Sequence, residues 1–140
     1  MAASHGRLAV SGAIVRLVAA RACLRFLSFE RALCAFGITL NTTRASYRPN
    51  PSELSKLPDD LQHPTRLILS ACRRYPGRAS CLERALALGS LLRCKQPILM
   101  LGVAKSHDAL TAHAWLRVDD HVIDVKPRGL PQELRVLGNS

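Results

Sequence analysis

The order of apolar and polar positions divides the chain into an N-terminal helical part and a C-terminal part of strands. From Leu8 to Leu40 apolar residues dominate, interrupted by Arg16, Arg21, Arg25 and Arg31. Ile14, Leu17, Val18, Leu24 and Leu27 recur near helical spacing with the arginines mostly between them. This pattern predicts an amphipathic helix, packed on the domain or offered to a partner. Asn41 to Asp60 carries Asn, Thr and Ser with Pro49, Pro51 and Pro58, the composition of a linker or extended loop. After Pro64 the run Thr65 to Arg74 predicts a helix with Leu67, Ile68 and Cys72 available to the core, and Pro76-Gly77 ends it.

A further helix is predicted from Ser80. Ser80 and Glu83 have the S-x-x-E spacing of a capping box, in which each side chain satisfies a backbone N–H that the helix leaves unpaired. Leu82, Ala85, Leu86, Gly89 and Leu92 form its buried stripe, and it finishes near Cys94, before Pro97. From Ile98 the period changes to that of strands: Ile98–Val103, Ala112–Val118 and Val122–Val125, with Asp119-Asp120 as a tight turn between the last two. The expected fold is α+β, with N-terminal helices followed by a small antiparallel sheet. Residues 1–60 are read as an N-terminal helix and linker packed on the domain, and residues 61–140 as the core.

A chain of 140 residues fits one domain and buries enough surface to fold without staples. With aromatics at only 4%, the core must be filled by Leu, Ala, Val and Ile. The formal charge of +10 suits an acidic partner, an anionic membrane surface or nucleic acid. The aromatic residues are scattered rather than interleaved with a basic stripe, so no nucleic-acid-binding signature accompanies the charge. No run reaches the roughly 18 uncharged apolar residues that a membrane span needs. The acid-poor, Arg-bearing N-terminus shares the look of a transit peptide, but an amphipathic helix accounts for it better. Cys23, Cys34, Cys72, Cys81 and Cys94 are odd in number and irregularly spaced, without a C-x-x-C pair. They suggest neither a disulfide framework nor a zinc site, and a reducing cytoplasm is the simplest setting.

Three residues carry candidate chemistry. Cys81 is the first residue inside the capped helix, where backbone N–H groups and the helix dipole favour a thiolate. His113 opens the strand segment His113-Ala114-Trp115-Leu116-Arg117-Val118, whose alternation sets His113, Trp115 and Arg117 on one face. His5, His63, His107 and His121 lie in a terminus, beside a proline or in loops. Asp124 stands among β-branched apolar residues on the next strand, where a carboxylate needs a hydrogen-bonding partner. The turn at Asp119-Asp120 brings the strands of His113 and Asp124 side by side. An Asp–His bond would fix the tautomer that leaves the other ring nitrogen to accept the thiol proton. Asp124 could instead pair with Arg117, Lys126 or Arg128, and Asp119 is the alternative third member. The order of Cys on a helix N-terminus, His on a strand and Asp on the neighbouring strand is that of the transglutaminase-like and papain-like cysteine enzymes.

The segment Pro76-Gly77-Arg78-Ala79-Ser80-Cys81-Leu82-Glu83-Arg84-Ala85-Leu86-Ala87-Leu88, with Leu91-Leu92-Arg93, Gly102-Val103, His113-Ala114-Trp115 and the Asp124 strand, resembles the lasso-peptide biosynthesis B proteins. The resemblance covers the second half of the chain closely and the first 60 residues only loosely. It departs at Lys95-Gln96-Pro97, where a glycine-containing turn is expected after Arg93. It implies a transglutaminase-like cysteine protease that removes the leader from a ribosomally made precursor peptide, with Cys81 as nucleophile, His113 as base and Asp124 as the orienting acid. It also implies a separate leader-recognition protein, because the chain is short for a recognition module of its own, and an asparagine-synthetase-like cyclase that closes the macrolactam. Neither metal nor organic cofactor is expected. Two other classes fit the residues: another transglutaminase-like amide hydrolase or acyltransferase, or a non-catalytic basic binding protein in which Cys81 is inert.

Overall fold

The computed structural model describes residues 2–41, 54–106 and 109–125. Four helices pack on one face of a four-stranded sheet. In chain order these are α1 (Ala2–Phe26), α2 (Phe29–Phe36), β1 (Thr39–Leu40), α3 (Asp59–Arg74), α4 (Cys81–Leu91), β2 (Ile98–Ser106), β3 (Ala109–Val118) and β4 (His121–Ile123), with short 3-10 turns at Leu54–Lys56 and Arg93–Lys95. The sheet order is β1-β2-β3-β4. β2, β3 and β4 form the antiparallel meander that the strand pattern predicts, whereas β1 adds in parallel beside β2, so the sheet is mixed. A two-residue strand is too short to carry a period, and Thr39–Leu40 was legible only as the tail of a helical segment.

α4 is the central element. Glu83 through Gly89 are all buried, because α1 and α3 cover one side of this helix and the sheet covers the other. A helix enclosed on all sides must be apolar nearly all round, which the run Ala85-Leu86-Ala87-Leu88 satisfies. Gly89 sits where α4 passes Ile38, and a Cβ there would collide with the Ile38 side chain. Ala114, Leu116 and Val118 of β3 face this core together with Leu86, Leu88, Leu99 and Ile123. On the opposite face of the sheet Trp115, Met100 and Val122 form a smaller cluster with Ile98 against it.

The N-terminal segment differs from the single amphipathic helix expected between Leu8 and Leu40. It breaks at Leu27 and restarts at Phe29, with the Ser28 side chain accepting the Arg31 N–H and Gly37 in a left-handed conformation (φ 69°) closing α2. The buried stripe of α1 is Val10, Ala13, Leu17 and Ala20, while Val18 and Leu27, expected on it, are 51% and 40% exposed. Alanines on the stripe let α1 approach its neighbours closely, and they mark the face less visibly than leucines do. Thus α1 contributes to the same hydrophobic core as α3 and α4.

α3 also starts earlier than predicted, at Asp59, with Pro64 inside it. Asp59 and Asp60 at its start and Arg73 and Arg74 at its end complement the helix dipole, and the Asp60 carboxylate pairs with Lys95. Most of the expected Asn41–Asp60 loop lies outside the described residues. At the departure from the family pattern, Gln96 adopts φ 52° and ψ 60°, a left-handed position that glycine fills without strain. The turn geometry is therefore the expected one, carried by a different residue. Among the described residues no helix is long and apolar enough to cross a membrane.

If α1 belongs to the core, Leu17→Ala should destabilise the protein by about 2–5 kcal/mol. Val15→Ala, at a side chain 65% exposed, should change stability by less than about 0.5 kcal/mol. Urea denaturation of the two variants measures the contrast.

Candidate active site

The chain before α4 is fixed by local hydrogen bonding. The Glu83 N–H donates to Ser80 Oγ (3.1 Å), and the Ser80 N–H donates to Glu83 Oε2 (2.7 Å), completing the capping box. Arg21 of α1 reaches across the same carboxylate: its Nε donates to Glu83 Oε1 at 2.8 Å and its Nη2 to the Arg78 carbonyl at 2.9 Å. The Arg21 guanidinium also lies over the Tyr75 ring, 4.8 Å from its centroid. Cys81 follows directly as the first residue of α4, half-buried at the helix N-terminus.

His113 and Asp124 come together from the sheet. His113 lies on β3 opposite Gly102 of β2, and its ring stacks on that of Trp115 with centroids 5.9 Å apart. Asp124 follows β4 by one residue rather than lying within the strand, and its Oδ2 is 2.8 Å from His113 Nε2. Both side chains are about nine-tenths buried. With Nε2 directed at Asp124, the ring's other nitrogen, Nδ1, is left for the hydrogen bond between His113 and Cys81.

The electrostatics follow from these contacts. The hydrogen bond from His113 lowers the Cys81 thiol below its ordinary value; burial opposes this, and the Ala114 N–H and the charges of His113 and Arg84 add to it. For His113, burial alone would disfavour the imidazolium. The bonds and charges of Asp124 and Cys81 outweigh it, and the pKa is pushed up to about 9. Between the depressed value of the thiol and about pH 9 the pair is therefore a thiolate beside an imidazolium held by a carboxylate. Such a pair can attack a carbonyl carbon and return a proton to the leaving group.

These geometric relations agree with the family comparison. The chain matches the family model of the transglutaminase-like superfamily over residues 9–138. It belongs to that superfamily. The match begins within α1, at residue 9, and runs through the helices and the sheet. No curated protein or solved structure shows significant similarity to the chain.

The structure brings Cys81, His113 and Asp124 into one corner of this transglutaminase-like domain and leaves Asp119 in the exposed β3–β4 turn, at φ 51°. His63 lies on α3 and His121 on β4, and His107 lies outside the described residues, as do Lys126 and Arg128. Among the described residues no group of three or more His, Cys, Asp or Glu side chains is placed to hold a metal ion. Sequence reasoning missed two arginines. Arg21 is separated from Glu83 by 62 positions. Arg84 was visible as a charge inside an apolar run, a pattern that marks a buried polar contact.

Alkylation of Cys81 by iodoacetamide, followed against pH, checks this geometry. The rate should rise with a midpoint below the ordinary thiol value of about 8.5. In His113→Ala the midpoint should move up toward that value. A second inflection near pH 9, where His113 loses its proton, should move down in Asp124→Asn and stay put in Asp119→Asn; the reverse ranking would give the third position to Asp119.

Proposed function

We propose that this transglutaminase-like protein is a cysteine endopeptidase that removes the leader from a ribosomally made lasso precursor peptide. In this reading it acts in the cytoplasm with a separate leader-recognition protein, and an asparagine-synthetase-like cyclase then closes the macrolactam. The observation that carries the chemistry is the 2.8 Å contact between His113 and Asp124 beside a thiol at a capped helix N-terminus. The specific substrate class rests on the resemblance of the segments around Cys81 and His113-Ala114-Trp115 to the lasso B proteins.

The mechanism uses the chain's own residues throughout. The Cys81 thiolate attacks the carbonyl carbon of the last leader residue, forming a C–S bond and an oxyanion. The backbone N–H of Cys81, at the positive end of α4, stabilises that charge. Protonated His113 donates its proton to the core-peptide nitrogen as the C–N bond breaks, leaving a thioester on Cys81. Neutral His113 then accepts a proton from water, whose oxygen attacks the thioester. Collapse of the second tetrahedral intermediate releases the leader carboxylate and restores the thiolate–imidazolium pair. Asp124 holds the ring throughout and stabilises its positive form.

Cleavage of a synthetic precursor followed by mass spectrometry, with and without the recognition protein, tests this reading. Cys81→Ala should abolish cleavage, whereas Cys72→Ala and Cys94→Ala should retain most of it. Equal loss in all three would contradict the assigned nucleophile, and transfer of the acyl group to an added amine in place of hydrolysis would make the protein an acyltransferase. Equal rates with and without the recognition protein would remove that partner from the proposal.

A further inference from the structure

Arg84 is a cation in a place that disfavours one. It lies on α4 one turn beyond Cys81, between Glu83 and the apolar run Ala85–Leu88, and is only 7% exposed. Its Nη1 donates to the Ala79 carbonyl at 2.6 Å, two residues before the candidate nucleophile, and its Nε is buried without a hydrogen-bond partner. Among the described residues no carboxylate forms an ion pair with it; the neighbouring Glu83 is occupied by Arg21 and the Ser80 N–H. Burying a guanidinium with one neutral acceptor is costly unless an anion lies close by.

The groups around it narrow the choice of anion. Residues three apart on a helix share a face, which sets Arg84 beside Cys81. Cys72 of α3 lies within reach of the Arg84 charge, His113 and Asp124 join this helix end through the bond between His113 and Cys81, and the charge of Arg21 on α1 is spent on Glu83. The positive field of Arg84 acts on both Cys72 and Cys81. Burial pushes the Cys72 thiol up, so it stays neutral, while Cys81 is shifted the other way. Asp124 and the Cys81 thiolate supply two negative charges, and His113 and Arg84 supply two positive ones. Without Arg84 the corner would carry an unbalanced negative charge whenever the thiolate forms.

We propose that Arg84 is a positioning residue for the nucleophile, holding the Ala79–Cys81 turn through the Ala79 carbonyl and balancing the thiolate with its buried charge. This rests on the reading of Cys81 as the nucleophile. A purely structural arginine would serve only the carbonyl. Arg84→Gln keeps a donor there and removes the charge; Arg84→Lys keeps the charge and loses the planar fork.

Both variants of the full chain are checked for folding by thermal melting, and the pH dependence of iodoacetamide alkylation is then measured at Cys81 by peptide mapping. Arg84→Gln should raise the midpoint by about half a pH unit, with alkylation below that midpoint falling about threefold. Arg84→Lys should stay within about 0.3 pH unit of the unmodified protein, as a retained charge requires. An unchanged midpoint in Arg84→Gln, or equal upward shifts in both variants, would overturn the proposal. If Arg84→Gln fails to fold, Arg84→Met, which removes the charge without placing a polar group in the core, takes its place: a raised midpoint supports the charge role, and an unchanged one overturns it. Leader cleavage by the unmodified protein keeps the two readings apart. Cleavage with an unmoved midpoint in Arg84→Gln overturns only the role of Arg84. An ordinary thiol midpoint at Cys81 in the unmodified protein, with no cleavage, overturns both.

Discussion

The carboxylate of Glu83 joins three parts of the chain that must agree for the candidate site to exist. It accepts from the Ser80 N–H, completing the cap that starts α4, and from Arg21, tying that cap to α1. Arg21 in turn holds the Arg78 carbonyl and lies over Tyr75, so the whole lead-in to Cys81 is tethered to a helix far away in sequence. Burial of Glu83 at 7% exposure is tolerable because both oxygens are engaged, Oε1 by Arg21 and Oε2 by the Ser80 N–H and Arg21. The position of Cys81 beside β3 follows from this arrangement. The neighbouring apolar run then drives α4 into the space between the other helices and the sheet.

At the reactive corner two opposing effects compete, and their balance sets the protonation states. Burial works against charge on both His113 and Cys81, and an isolated pair at this depth would be neutral. The Asp124 bond, the mutual bond between His113 and Cys81, and the Ala114 N–H at the sulfur all favour the charged forms. They prevail for His113, whose value rises to about 9 in spite of its desolvation. The arrangement is preorganised, since each donor belongs to a helix end or a strand and not to a mobile side chain on the surface.

Much of this was readable from local sequence, for a physical reason. The capping box, the thiol beside it and the Asp119-Asp120 turn depend on residues three or fewer positions apart, so spacing alone specifies them. The pairing of β3 with β4 follows from that turn and brings His113 and Asp124 together once the strands alternate. Contacts made over long separations were not readable. Nothing local marks Arg21 as the partner of Glu83, and the alanine-rich α1 is apolar on too many sides for its periodicity to reveal the buried face. The two-residue β1 owes its strand geometry to β2 and not to its own sequence. Gln96 holds a left-handed position imposed by the turn between the Arg93–Lys95 segment and β2, a conformation its residue type does not announce.

The claim on which the rest stands is that His113 is an imidazolium at neutral pH, bonded to Cys81 and favouring its thiolate. Titration of the His113 ring by nuclear magnetic resonance, in the native protein and in Cys81→Ala, addresses it without substrate, partner or chemical label. The ring should remain protonated up to about pH 9 in the native protein. Its midpoint should drop when Cys81 is removed, because the bond and charge of the thiolate both raise it. A His113 midpoint near the ordinary value of about 6.5 in both proteins would show that no such ion pair forms.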